Sequence, residues 1–210
     1  MREADWYFDF VSPFSYLQTL RLTALPGDLK VTLRPVLFAG LLHHWGSKGP
    51  AEVPPKRLFT YRYVQWQAQR LGVPFKFPAA HPFNPLKALR LAVALGSPLV
   101  TIKTIFVAIW RDGWLPDTEE GWRRIVAAVG AADADRLIER PEVKAGLRAN
   151  GERAAAAGVF GVPTFVIDGG VFWGNDATDM VLDYLNRPEM FRDPEMRRIA
   201  ALPASAQRAS

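Results

Sequence analysis

The aromatic run Trp6-Tyr7-Phe8-Asp9-Phe10-Val11 ends on Ser12-Pro13, and this junction limits what the chain can fold into more than any other stretch of it. Bulky side chains in a short apolar run favour a strand. Serine before proline marks a helix start: the hydroxyl accepts an orphan N–H of the first turn, and proline at the first helical position lacks only an N–H that had no partner anyway. The sequence thus predicts a strand over 6–10 running straight into a helix that ends near Ala24. Pro26-Gly27-Asp28 turns the chain, and the branched, alternating stretch 31–37 reads as a second strand. A strand-helix-strand unit this short implies parallel strands joined by a right-handed crossover.

Far downstream, Gly161-Val162-Pro163-Thr164-Phe165 introduces a predicted hairpin: a strand over 164–168, a Gly169-Gly170 turn and a strand over 171–173. Gly174-Asn175-Asp176 then opens a helix through about Leu185. Between the two β-rich ends helical periodicity dominates, with segments over 56–71, 85–95, 98–111, 117–129 and 141–157 separated by Pro and Gly breaks. A strand feeding a helix that carries Ser12-x-x-Ser15, with a distant Val-Pro-Thr, resembles the thioredoxin layout with serine where redox members use cysteine. The expected class is α/β: a thioredoxin-like core over 1–38 and 159–200, a large all-helical insertion over 39–158, and a flexible tail over 201–210.

With no cysteine in the chain there is no disulfide framework, thiolate metal site or internal redox couple. A net charge of +5, scattered and not striped, gives poor support to nucleic-acid binding. The start of the chain lacks the basic-then-apolar pattern of a signal peptide and no apolar run reaches membrane-spanning length, so the expectation is a cytoplasmic protein without membrane partners. His43 and His44 are sequence neighbours, not one helical turn apart, and His81 is the only other histidine, so no metal site is expected.

Ser12 has two readings. It is an ordinary helix cap, or it stands where free amides and the helix dipole hold a sulfur anion and lower its pKa. Since the chain owns no thiol, glutathione is the candidate source of that sulfur. Val162-Pro163 invites a cis bond that would turn the Val162 amide and carbonyl toward an extended peptide. The turn Trp173-Gly174-Asn175-Asp176 can receive a carboxylate on its amides and an ammonium on Asp176, or it simply caps the next helix.

Taken together, Phe8-Asp9-Phe10-Val11-Ser12-Pro13-Phe14-Ser15-Tyr16-Leu17, Phe160-Gly161-Val162-Pro163-Thr164 and Phe172-Trp173-Gly174-Asn175-Asp176 resemble the 2-hydroxychromene-2-carboxylate isomerase family, kin of kappa-class glutathione transferases. The resemblance implies that Ser12 activates glutathione, that Val162 and Pro163 clamp its backbone, and that Trp173, Gly174, Asn175 and Asp176 hold its γ-glutamyl end. Lys56, after Val53-Pro54-Pro55, matches a lysine that kappa relatives use to hold glutathione; Gly49-Pro50-Ala51-Glu52 departs from relatives that carry an asparagine after a Gly-Pro. Asn84 falls where relatives contact the organic substrate, and Phe38, Trp45 and Tyr61 are expected to line a slot for a small planar aromatic molecule. The implied reaction interconverts 2-hydroxychromene-2-carboxylate and trans-o-hydroxybenzylidenepyruvate in aromatic catabolism, by a homodimer. The competing expectations are a kappa-like transferase and an inactive thioredoxin-like binding module.

Overall fold

The computed structural model describes residues 2–206. Four strands form one mixed sheet in the order β2-β1-β3-β4. Strand β1 (Arg2–Phe8) pairs in parallel with β2 (Leu29–Pro35) and antiparallel with β3 (Thr164–Ile167), which pairs antiparallel with β4 (Gly170–Trp173). The crossover from β1 to β2 is helix α1 (Pro13–Arg21), prolonged by a 3-10 turn over Leu22–Ala24. The first two strands end at Phe8 and Pro35, earlier than their composition predicts, because the ladder runs from the pair Arg2 and Leu29 to the pair Phe8 and Pro35. Asp9 and Phe10 are thereby released from the sheet into the turn that leads to Ser12.

The hairpin turn falls one residue before the predicted Gly169-Gly170. Asp168 and Gly169 occupy it with φ of 51° and 80°. Positive φ at both central positions is the type I′ geometry that matches strand twist, and Asp-Gly is a preferred pair for it.

Because β1 is central, both of its faces are covered, and its alternation sorts side chains between two clusters. Trp6 and Phe8 join Phe106 and Phe165 in the main core, with Trp6 stacked on Phe8 at 4.6 Å between ring centroids. Tyr7 points the other way, into a smaller cluster with Val36, Leu41, Val159 and Val162.

All regular elements described between β2 and β3 are helical. They include α2 (Phe38–His44), α3 (Pro54–Arg70), α4 (Leu86–Ala94), α5 (Leu99–Trp110), α6 (Glu119–Val129), α7 (Ala134–Leu137) and α8 (Pro141–Ala156). Of these, α2 and α7 are too short to show a period and were not expected from the sequence. Helix α9 (Thr178–Asn186) starts after the Gly174-Asn175-Asp176 turn, and a 3-10 turn (Pro188–Arg192) leads to α10 (Pro194–Ala200). Residues 201–206 form no helix or strand; the rest of the expected tail, 207–210, lies outside the described residues. No helix among the described residues is long and apolar enough to cross a membrane.

Helix α6 shows how local chemistry fixes element ends. The Thr118 hydroxyl accepts the Gly121 N–H at 3.2 Å, and Gly130 closes the helix at φ 73°. Thr118→Ala is expected to cost about 1 kcal/mol of stability, read as a lower denaturant midpoint at unchanged slope.

Candidate active site

Where β1 gives way to α1 the structure holds a cavity of about 340 Å³, walled mostly by apolar side chains and lined by Asp9, Ser12, Phe38, His81, Val162 and Trp173 among others. No lysine or arginine is among its lining residues. A wall of this composition suits a planar apolar guest with few polar anchors.

Ser12 is the N-cap of α1, and its hydroxyl oxygen accepts the Ser15 N–H at 3.2 Å. The hydroxyl donates toward the Val162 carbonyl at 3.5 Å, the weak end of hydrogen-bond distance. Its proton is thus easily redirected to a better acceptor entering the cavity. The Phe14 N–H, two residues further on, has no partner among the described residues, so the positive end of α1 also faces the cavity. Capping and anion binding coexist here, because the cap uses the oxygen lone pair and leaves the proton loosely held.

Val162 lies beside Ser12 on the cavity wall. The Val162-Pro163 bond is cis, and the Val162 N–H makes no hydrogen bond among the described residues. An edge amide beside a carbonyl is the pattern an extended peptide strand can pair with. Pro163 is buried, and its carbonyl accepts the Gly174 N–H at 2.9 Å, which ties the 161–164 segment to the Trp173-Asp176 turn. Gly174 holds φ at 101°, and Gly161 lies so close to the Trp173 indole that a Cβ there would come within 2.5 Å of Nε1. Trp173 is itself half exposed and packs edge-on against Phe160 at 5.0 Å. Beyond it Asp176 is exposed, while Asn175 is buried with an Oδ1 that has no partner among the described residues.

The remaining predicted residues are distributed differently. Phe38 lines the cavity; Lys56, Tyr61, Trp45 and Asn84 are not among its lining residues. Lys56 is exposed near the start of α3, and Asn84 is exposed, its side chain accepting the Leu86 N–H at 3.0 Å to start α4. Trp45 closes α2, its indole donating to the Val159 carbonyl at 2.9 Å. Tyr61 lines a neighbouring groove with Arg57 and reaches His81, its hydroxyl 2.7 Å from Nδ1. His43 and His44 are exposed at the end of α2, and no group of potential metal ligands occurs among the described residues.

Beside Glu52 and Thr60, the wall contains two polar residues, Asp9 and His81, that no sequence pattern marked as functional. Asp9 is fully buried, its carboxylate accepting the Val11 N–H at 3.0 Å and the Phe38 N–H at 2.8 Å. Burial pushes its carboxyl up to about 7, against the opposing pull of those amides. His81 places Nε2 2.8 Å from the Val11 carbonyl, and burial lowers its pKa. Only an N–H at Nε2 makes that contact favourable, so Nδ1 faces the Tyr61 hydroxyl. Asp9 sits inside a motif that reads as a strand end, and His81 inside a proline-rich loop; only the folded chain brings them together.

Comparison with known proteins adds to this geometry. The family model of the DSBA-like thioredoxin domain matches residues 3–186. A 2-hydroxychromene-2-carboxylate isomerase from Sphingobium xenophagum is 32% identical over 189 residues, covering 86% of this chain and 96% of the relative. A kappa 2 glutathione S-transferase from Caenorhabditis elegans is 25% identical over 211 residues, covering 90% of this chain and 93% of the relative. Among solved structures, a 2-hydroxychromene-2-carboxylate isomerase superposes with a TM-score of 0.76 at 24% identity, over 96% of this chain and 100% of that one.

Proposed function

Because the chain belongs to the DSBA-like thioredoxin domain family, and within it to the 2-hydroxychromene-2-carboxylate isomerases, we propose that it is a glutathione-dependent isomerase. Its reaction on this reading is the interconversion of 2-hydroxychromene-2-carboxylate and trans-o-hydroxybenzylidenepyruvate. The observation that carries the proposal is the loosely held Ser12 hydroxyl at the positive end of α1, facing an apolar cavity in a chain with no thiol.

The residues present fit the tripeptide. The Pro163 to Gly174 hydrogen bond ties the segment with the unpaired Val162 amide to the turn that carries the exposed Asp176 carboxylate and a buried Asn175 Oδ1 without a partner among the described residues. Bound glutathione would supply the nucleophilic sulfur that converts the substrate's double bond transiently into a rotatable single bond. Ser12 would donate to the sulfur anion, and the α1 amides would favour its charge. Val162 and the 173–176 turn would hold the peptide, while Phe38 and the apolar wall would exclude water and keep the aromatic ring flat. Lys56, outside the cavity wall, is left to steady the peptide's far end, and Asn84, Trp45 and Tyr61 act at most from behind it. The enzyme is read as a cytoplasmic homodimer.

The related kappa transferase supports a second reading, permanent conjugation of glutathione to an electrophile. One experiment separates them. Purified protein is incubated with catalytic glutathione and excess hydroxybenzylidenepyruvate, and free thiol is titrated over time. Turnover of many equivalents of substrate to a constant equilibrium mixture with thiol undiminished supports the isomerase; stoichiometric thiol loss supports the transferase; no glutathione binding by calorimetry rejects both.

A further inference from the structure

Residue Val11, immediately before Ser12, is gripped from both sides by titratable groups, the buried Asp9 and the partly buried His81. Its N–H donates to the Asp9 carboxylate at 3.0 Å, and its carbonyl accepts from His81 Nε2 at 2.8 Å. The second Asp9 oxygen accepts the Phe38 N–H at 2.8 Å, at the start of α2, which has no side-chain cap of its own from Leu37. Asp9 therefore joins the turn that aims Ser12 to the helix that supplies Phe38 to the facing wall. His81 is held in turn by the Tyr61 hydroxyl and by a cage of rings, with Trp110 at 5.5 Å and Phe83 at 6.0 Å between centroids.

We propose that Asp9 and His81 are positioning residues which clamp the two sides of Val11 and so set the direction of the Ser12 hydroxyl, the clamp being complete when the Asp9 carboxyl is ionised. An ionised carboxylate accepts both N–H bonds; a protonated one carries an O–H on one oxygen and loses a good acceptor there. His81 keeps its Nε2 proton whether neutral or charged, so its half of the clamp does not open on protonation. Asp9 is thus the pH-sensitive half. The other titratable groups facing the pair are Glu52 across the cavity, and Tyr61 and Arg57 from α3 behind His81. No cation pairs with Asp9 among the described residues.

The sign of the effect differs between activity and stability. Turnover is expected to gain, beyond the part that ionisation of bound glutathione contributes, as the pH climbs through about 7 and Asp9 ionises. Stability moves the other way: between the ordinary value of 3.8 and about 7 the folded chain binds a proton that the unfolded chain has released, so stability falls as pH rises across that window. A residue with a purely structural role would not couple the two.

The consequence for turnover rests on the glutathione reading, and the test keeps the two apart. In the protein without glutathione, amide NMR of Val11 and Phe38 across neutral pH is expected to show both resonances titrating together with the Asp9 side-chain carbon. Independent or absent titration overturns the clamp and leaves the glutathione reading untouched. With glutathione and substrate, Asp9→Asn is expected to lower kcat about 10-fold at high pH, since sub-ångström misalignment of a reacting group costs that order. It should also flatten the fall of stability with pH, and leave an acid limb of kcat that follows the ionisation of bound glutathione alone, at unchanged KM. His81→Phe should lower kcat similarly, and His81→Gln, whose amide can reach the Val11 carbonyl, should restore most of it. Equal activity of His81→Phe and His81→Gln, or an acid limb in Asp9→Asn identical to that of the wild type, overturns the proposal. A protein that binds no glutathione while its two amides titrate together loses the glutathione reading, and with it the clamp's effect on turnover.

Discussion

Ser12→Ala is expected to reduce turnover by about 10- to 100-fold, the equivalent of a hydrogen bond to a charged group worth roughly 1.5–3 kcal/mol. The wild-type hydroxyl spends little on its present acceptor, the Val162 carbonyl at 3.5 Å, so nearly all of its donating capacity is free for an anion in the cavity. The substitution also removes the cap on the Ser15 N–H, which costs about 1 kcal/mol of stability by itself. These two losses are separable. Thermal denaturation reports the cap, and the pH at which bound glutathione ionises, followed by its thiolate absorbance, reports the anion. Ser12→Ala should raise that pH, whereas Ser12→Thr, which keeps a hydroxyl, should hold it near the wild-type value. If Ser12→Ala shifts only the melting temperature and leaves kcat at saturating glutathione intact, the residue is a cap and nothing more.

The contrast between Ser12 and Asp9 explains what the sequence disclosed. Ser12-Pro13 is legible because capping is a matter of neighbouring atoms, and the hairpin at Asp168-Gly169 was misplaced by one residue only because three turn-forming residues stand in a row. The thioredoxin-like sheet, its parallel β1–β2 pair and the helical character of the middle of the chain follow from period and spacing, and the structure has them. Helix α2 was missed because the group nearest to a cap for it, Asp9, is distant in sequence. The grip of His81 on Val11 spans a separation that no local pattern encodes. Lys56, Asn84, Trp45 and Tyr61 were chosen by residue type and motif position, neither of which reports where a side chain ends up. The cavity wall instead takes Glu52, Thr60 and His81 from the same stretch.

The second large effect lies beneath the site. Trp110, at the end of α5, is fully buried; its indole donates to the Phe10 carbonyl at 2.9 Å, and its own carbonyl accepts the Lys76 N–H at 2.7 Å. Around the ring stand Phe75, stacked at 5.6 Å, Phe77 edge-on at 5.6 Å, and His81 at 5.5 Å. Trp110→Ala is expected to cost about 3–5 kcal/mol, the range for deleting a large buried aromatic, because α5 and the strand end cannot close over so large a void. Trp110→Phe keeps most of the apolar volume but strands the Phe10 carbonyl, and should cost about 1–3 kcal/mol, the penalty for an unsatisfied buried acceptor. Denaturant unfolding checks both, with the slope unchanged if the fold remains a single cooperative unit. What makes this residue informative is its place between core and cavity. The Phe10 carbonyl it holds belongs to the turn that carries Val11 and Ser12, and the ring it presents to His81 is one wall of the cage that orients Nε2. Trp110→Phe should therefore lower kcat even under conditions where the protein is fully folded, with KM for glutathione little changed. Loss of stability without loss of kcat in that variant would mean that the aromatic cage supports the fold alone, and that the aim of Ser12 is fixed by Asp9 without help from below.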